Sequence, residues 1–172
     1  MSFPGIPSLD AAVMAFIQTH FHNTVTDTVF PIITSLGEAG IGWIVLSLVL
    51  LCFKKTRRTG GLVLIAMTVT LLFGELTLKN IICRLRPCNV FTDFPMLIAR
   101  PTSYSFPSGH TSSSFAAALI LTLRHKKIGW LAYIPAVLIA FSRIFLFVHY
   151  PTDVLAGILL GTLAALLTYF AA

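Results

Sequence analysis

Apolar residues gather along this chain into five stretches, at 39–53, 60–78, 111–123, 128–148 and 152–170, each carrying one charged residue at most. A helix crosses a bilayer in roughly 20 apolar residues, so the pattern predicts five membrane-spanning helices. The first and third stretches are short and recruit flanking residues such as Gly37 to Gly40 and Ser108 to His110. Upstream, Asp10, Gln18, His20, His22, Asn23 and Asp27 interrupt the apolar positions. Leu9 to Phe21 reads as an amphipathic helix lying at the membrane interface. Thr24 to Ser35, containing Pro31, reads as a second helix that is interfacial, partly inserted or a sixth crossing. Five crossings with an outside amino terminus are favoured over six. The expected fold class is an all-α integral membrane protein, a bundle of five or six transmembrane helices with an amphipathic N-terminal helix. It forms one domain over 1–172, with 8–36 interfacial or partly inserted and 39–170 forming the bundle.

With 56% hydrophobic and 10% charged residues, the composition excludes an ordinary soluble fold. The net charge of +6 raises nucleic acid as a partner. Seven of the twelve Lys and Arg, however, fall in Lys54-Lys55-Thr56-Arg57-Arg58 and Arg124-His125-Lys126-Lys127, between apolar runs. That is the distribution of cytoplasmic loops. No face interleaves aromatic and basic residues, so nucleic acid is not expected; the lipid bilayer is. With both clusters in the cytoplasm, the loops at 79–110 and 149–152 emerge together on the outer side and the carboxyl terminus lies inside. Nothing at the amino terminus resembles a cleaved signal peptide. Cys83 and Cys88 flank an outer segment, where two unpaired thiols are favoured over a disulfide. The long loop 87–107 carries Pro87, Pro95, Pro101 and Pro107 around Phe91, Phe94, Met96, Leu97 and Ile98. It is expected to rest on the bilayer surface, and long ordered loops are often functional.

Ionisable residues near a membrane are costly and mark function, and here they sit at the ends of the apolar runs. In Pro107-Ser108-Gly109-His110 a loop becomes a helix, with Ser108 as the cap and Gly109 letting a ligand approach the backbone. Free amides and the dipole's positive end make that turn an anion site; an ordinary helix start is the alternative. Lys79 and Arg86 offer two cations for an anion, or snorkel to headgroups; Glu75, four residues before Lys79, pairs with it or orients it. Arg84 is expected to point towards lipid headgroups. His149 and Asp153 flank Pro151, so Asp153 opens the last helix and reaches back to the imidazole. A carboxylate holding one ring nitrogen frees the other to attack. Arg143 adds a planar fork for phosphate oxygens, and a bend must bring it to His149. Zinc on His110, His149 and Asp153 is the competing chemistry, disfavoured by the cations crowding that face. His20, His22 and His125 are given no catalytic role.

These patterns, Lys79 with Arg86-Pro87, then Pro107 to His110, then Ser142-Arg143 with His149 and Asp153, resemble the three signatures of the type 2 phosphatidic acid phosphatase superfamily, in order and without substitution. The resemblance implies a metal-independent phosphatase. His149 would be the nucleophile forming a phosphohistidine, Asp153 its orienting partner, and His110 the acid and then the base. Lys79, Arg86, Ser108, Gly109 and Arg143 would bind phosphate. No cofactor, metal or obligatory protein partner is expected, and the substrate would be a membrane lipid at the outer face of a bacterial cytoplasmic membrane. Undecaprenyl diphosphate is the first expectation, phosphatidylglycerophosphate or phosphatidate the second, a lipid A phosphate the third. A soluble vanadium haloperoxidase is argued against by the apolar runs. A lipid-phosphate binding or transport protein is the non-enzymatic alternative.

Overall fold

A computed structural model describes residue 3 and residues 5–172. Its elements are helical throughout the described residues: α1 Ser8–His20, α2 Thr24–Leu36, α3 Ile41–Leu51, α4 Arg57–Thr70, α5 Lys79–Ile82, α6 Pro87–Val90, α7 Gly109–Arg124, α8 Tyr133–Phe145 and α9 Pro151–Ala171. A π-helical segment, Leu71–Leu78, joins α4 to α5 without a break. Single wide turns of this kind inside helices recur at functional sites.

The bundle is organised by small residues. On α9, Gly157 and Gly161 face α7 so closely that a Cβ at Gly161 would lie 2.3 Å from the Ser112 carbonyl oxygen. Ala116, Ala117 and Ala118 of α7 and Ala164 and Ala165 of α9 are buried in the same region. Small residues let backbones approach where lipid supplies no hydrophobic drive between helices. The opposite face of α9 carries Leu155, Leu159, Leu163 and Leu167, all more than half exposed. Spacing of four residues lines them up as one apolar ridge, a surface suited to lipid and not to water.

Two helical spans meet the length and apolarity of a crossing on their own, Arg57–Val90 and Pro151–Ala171. Thr24–Leu36 with Glu38–Leu51 makes a third if that pair, bent by 44°, is one span. The difference from the five apolar stretches has a physical cause. Helix α7 begins His110-Thr111-Ser112-Ser113-Ser114, which dilutes its hydropathy, yet Thr111, Ser112 and Ser114 are buried against protein. Helix α8 is short because the chain leaves it at Phe145 and turns through Phe147 at φ 59°. Hydroxyls that face neighbouring helices need not face lipid.

The N-terminal helix α1 forms where the pattern places it, but its polar side is turned inward. Asp10 and Gln18 are buried, while Leu9 and Phe16 are exposed. Gln18 Nε2 donates to the Ile144 and Phe145 carbonyls at 3.3 and 3.0 Å, at the carbonyl-rich end of α8. The long loop is ordered by its own packing. It folds against the protein: Phe94 stacks on Phe147 with ring centroids 3.9 Å apart, and Arg100 donates to the carbonyls of Cys88, Thr92 and Phe94. The three cysteines are free.

The two basic clusters meet at one end of the bundle. Thr59 and His125 are 3.1 Å apart, and Arg58 reaches the Ala172 carbonyl at 2.7 Å. The three sequence signatures lie at the other end.

Candidate active site

That other end holds a cavity of about 1150 Å³. Lys79, Arg86, Gly109, His110, Arg143 and His149 all line it, although they come from α5, the loop before α6, α7, α8 and the α8–α9 turn. Ser108 and Asp153 lie just behind them: Ser108 caps α7 and its N–H donates to the Asp153 carbonyl at 3.1 Å. The cavity has two characters. Its lining joins the cations Lys79, Arg86 and Arg143 to the apolar residues Pro31, Ile44, Leu64, Met67 and Leu71 of α2, α3, α4 and the π segment.

His149 is fully enclosed. The bend expected between it and Arg143 is made by the positive φ of Phe147, which returns the His149 N–H to the Arg143 carbonyl at 3.2 Å. Arg86 Nη1 lies 2.9 Å from His149 Nε2. A guanidinium can only donate, so Nε2 accepts and the ring proton sits on Nδ1. Nδ1 faces Asp153 Oδ2 at 3.4 Å. Burial first, then the Arg86 and Arg143 charges, hold this imidazole well below the usual histidine range. It is therefore a neutral ring that lines the cavity, its Nε2 lone pair held by Arg86.

The cations are held by their own contacts. Arg86 donates to the Ser103 carbonyl at 2.7 Å, the Ser103 hydroxyl at 3.0 Å and the Val148 carbonyl at 2.9 Å. Arg143 Nη1 donates to Thr34 of α2 at 2.5 Å, while its Nε is buried without a partner. Lys79 pairs with Glu75 at 2.7 Å. The Glu75 carboxylate lies against Gly109, where an added Cβ would meet it at 2.1 Å. One carboxylate thus bridges a cation and the amino end of α7. His110 Nε2 faces Glu38 at 3.6 Å, both lining the cavity, and the turn through Ala39 and Gly40, both at positive φ, puts Glu38 there.

Among the described residues, no three His, Cys, Asp or Glu side chains come together as a metal-binding group. The zinc alternative on His110, His149 and Asp153 therefore lacks a ligand set. His20, His22 and His125 bond to Phe16, Asp27 and Thr59 and do not line the cavity.

Residues 59–171 match the family model of the PAP2 superfamily. The chain belongs to that superfamily. It is 40% identical over 121 residues to an undecaprenyl-diphosphatase of Sulfolobus acidocaldarius, covering 70% of this chain and 58% of that protein, less than two thirds of its length. The crystal structure of Aquifex aeolicus LpxE matches with a TM-score of 0.82 and 25% identity over 99% of both chains. That of a transmembrane PAP2-type phosphatidylglycerolphosphate phosphatase from Bacillus subtilis matches with a TM-score of 0.77 and 29% identity, over 98% of this chain and 87% of that one.

Several side chains of this PAP2 site carried no usable signal in the sequence. Ser105 donates its hydroxyl to Asp153 Oδ2 and its N–H to the Arg84 carbonyl; one serine in a loop rich in Ser and Thr gives no hint of this. Ser103, Thr34 and Glu38 were equally silent. Arg84 is a correction: it turns inward, not to headgroups, and donates to Asp153 Oδ1 at 2.6 Å and Asp10 Oδ2 at 2.7 Å. The left-handed residue Cys83, φ 50°, ends α5 just before Arg84.

Proposed function

We propose that this protein is a metal-independent lipid phosphatase acting through a phosphohistidine on His149. The observation that carries the reading is the His149 imidazole, backed by Asp153 on Nδ1 and presenting Nε2 to a cavity whose wall is Lys79, Arg86 and Arg143. Three fixed cations and the amides at the start of α7 suit a phosphoryl group, whose equatorial oxygens carry the charge of the transition state.

In the first step Nε2 attacks phosphorus and the bond to the leaving oxygen breaks. His110 gives that oxygen a proton, leaving N-phosphorylated His149, with Asp153 offsetting the positive charge on the ring. In the second step His110 takes a proton from water, the hydroxide oxygen bonds to phosphorus, and the P–N bond breaks to release phosphate and restore the imidazole. Ser108 orders the α7 terminus, and the Gly109 amide binds a phosphoryl oxygen.

The substrate is a membrane lipid whose head enters the cationic side while its chain follows Pro31, Ile44, Leu64, Met67 and Leu71 towards the bilayer. Five helices, α3, α4 with its π segment, α7, α8 and α9, form the membrane bundle. The basic loops face the cytoplasm and the cavity opens at the outer face of the cytoplasmic membrane. Undecaprenyl diphosphate is the first substrate to test. A binding or transport role would not need a second histidine lining the same cavity.

The test is phosphate release by the detergent-purified protein from undecaprenyl diphosphate, phosphatidylglycerophosphate and phosphatidate in the presence of a chelator, with His149→Ala as the blank. Release from one lipid above the others supports the reading and identifies the substrate. Binding of all three with no release would replace catalysis with a carrier role.

A further inference from the structure

Behind Asp153, on the side away from the cavity, lies a second charged cluster. Arg84 Nη1 donates to Asp153 Oδ1 at 2.6 Å and to the Thr152 hydroxyl at 2.7 Å. Its Nη2 donates to Asp10 Oδ2 at 2.7 Å. Asp10, on α1, is fully buried and accepts the Thr152 N–H at 2.9 Å and the Thr152 hydroxyl at 2.7 Å. The Tyr150 ring lies over the guanidinium, 3.8 Å from the ring centroid. The Arg84 plane is thus fixed by α1, by the first turn of α9 and by an aromatic face.

Two things follow for Asp153. Its Oδ1 is clamped by Arg84, while Oδ2 takes the Tyr150 N–H at 2.9 Å and the Ser105 hydroxyl and faces His149 Nδ1. With both oxygens anchored, the carboxylate cannot rotate away from the ring. The second consequence concerns charge. Arg84 alone would neutralise Asp153 and weaken its hold on a positive imidazole. Asp10 cancels Arg84, so Asp10, Arg84 and Asp153 together keep one net negative charge facing His149. Removing one member of a buried charge group leaves the others uncompensated.

We infer that Asp10 and Arg84 are positioning residues for the reaction, so that the N-terminal helix α1 is part of the catalytic apparatus. The inference rests on His149 acting as the nucleophile. Neither residue lines the cavity, and the phosphate-facing cations are held by other partners, so the effect should fall on turnover and not on binding. A misplacement of an ångström in a reacting group can cost on the order of 10²-fold in rate.

The experiment compares wild type, Asp10→Asn, Arg84→Ala, Arg84→Lys and the Asp10→Asn/Arg84→Ala pair. It reads kcat, KM and the vanadate inhibition constant, with ¹⁵N-histidine spectra to give the His149 tautomer. Expected are a fall in kcat of about 10²-fold for Arg84→Ala, KM within about twofold of wild type, vanadate inhibition weakened in step with kcat because vanadate mimics the transition state, and a shifted His149 Nδ1–H signal. Asp10→Asn, nearly isosteric, should lose kcat in the same manner, Arg84→Lys should recover part of it, and the double variant should lose no more than Arg84→Ala alone. A wild-type kcat or an unshifted Nδ1–H signal in both single variants, or a loss confined to KM, would overturn the inference. If wild type releases no phosphate from these lipids yet the variants shift the Nδ1–H signal, the clamp on Asp153 stands and the lipid phosphatase reading fails.

Discussion

Replacing Gly161 by alanine tests how far the site depends on the α7–α9 contact. The new methyl carbon would lie 2.3 Å from the Ser112 carbonyl oxygen and 3.0 Å from the Ala116 nitrogen. Both are backbone atoms, which cannot swing aside. Ordinary contact begins near 3.4 Å, so the helices must part by about 1 Å. Overpacking of this kind costs about 1–3 kcal/mol, offset in part by roughly 0.5–1 kcal/mol from alanine's better helix propensity. Gly61 is the matched control: it lies in α4 with nothing within 4 Å of an added Cβ, so Gly61→Ala keeps the propensity gain alone. Since α9 carries Asp153 and α7 carries Ser108 to His110, the separation also spreads the site. The assay is thermal unfolding in detergent alongside initial rates. Gly161→Ala should melt several degrees below wild type and turn over at least about tenfold more slowly, while Gly61→Ala matches or exceeds wild type in both. Equal stability and rate in the two alanine variants would refute the close-contact argument.

Other outcomes follow from the same geometry. Vanadate, which adopts a five-coordinate form like the phosphoryl transition state, should inhibit strongly, and a chelator should not; activity lost in chelator and restored by zinc or magnesium contradicts the metal-free reading. Because burial and Arg86 push the His149 pKa down, the free ring stays neutral as pH falls through 6.5. The acid limb of kcat/KM assigned to this group should therefore lie below pH 6.5, and a limb above the ordinary histidine value would reverse the sign. Glu75→Gln removes an anion that competes with phosphate for Lys79 and the start of α7. Vanadate should then bind more tightly, whereas weaker binding would mean that Glu75 chiefly holds Lys79 in place. Thr34→Val deletes the acceptor of Arg143 and should raise KM severalfold with little change in thermal stability, read from initial rates and melting curves.

The cavity-facing residues were legible because each sits in a short pattern whose spacing is itself the chemistry. His149 and Asp153 are one helical turn apart, and Ser108 and Gly109 open a helix. Loop charge also brought the basic clusters to one end, where Thr59 meets His125. The rest depended on direction, which spacing does not encode. Arg84 and Arg86 stand two residues apart yet serve opposite ends of the His149–Asp153 pair, Arg84 on the carboxylate and Arg86 on Nε2. Asp10 looked like the polar face of an interfacial helix, since hydropathy cannot tell a carboxylate facing water from one facing a half-buried arginine. Helix α7 lost apolar signal to serines that face protein, and the π segment around Glu75 has no signature in a run that reads as plain apolar helix.

The most direct test is a rapid acid-free quench of the enzyme turning over ³²P-labelled lipid substrate, followed by peptide mapping. Label stable to base, lost in acid and located on His149, absent from His149→Ala, is the predicted result. Steady turnover with no label on His149 at any time, or label on another residue, would contradict it.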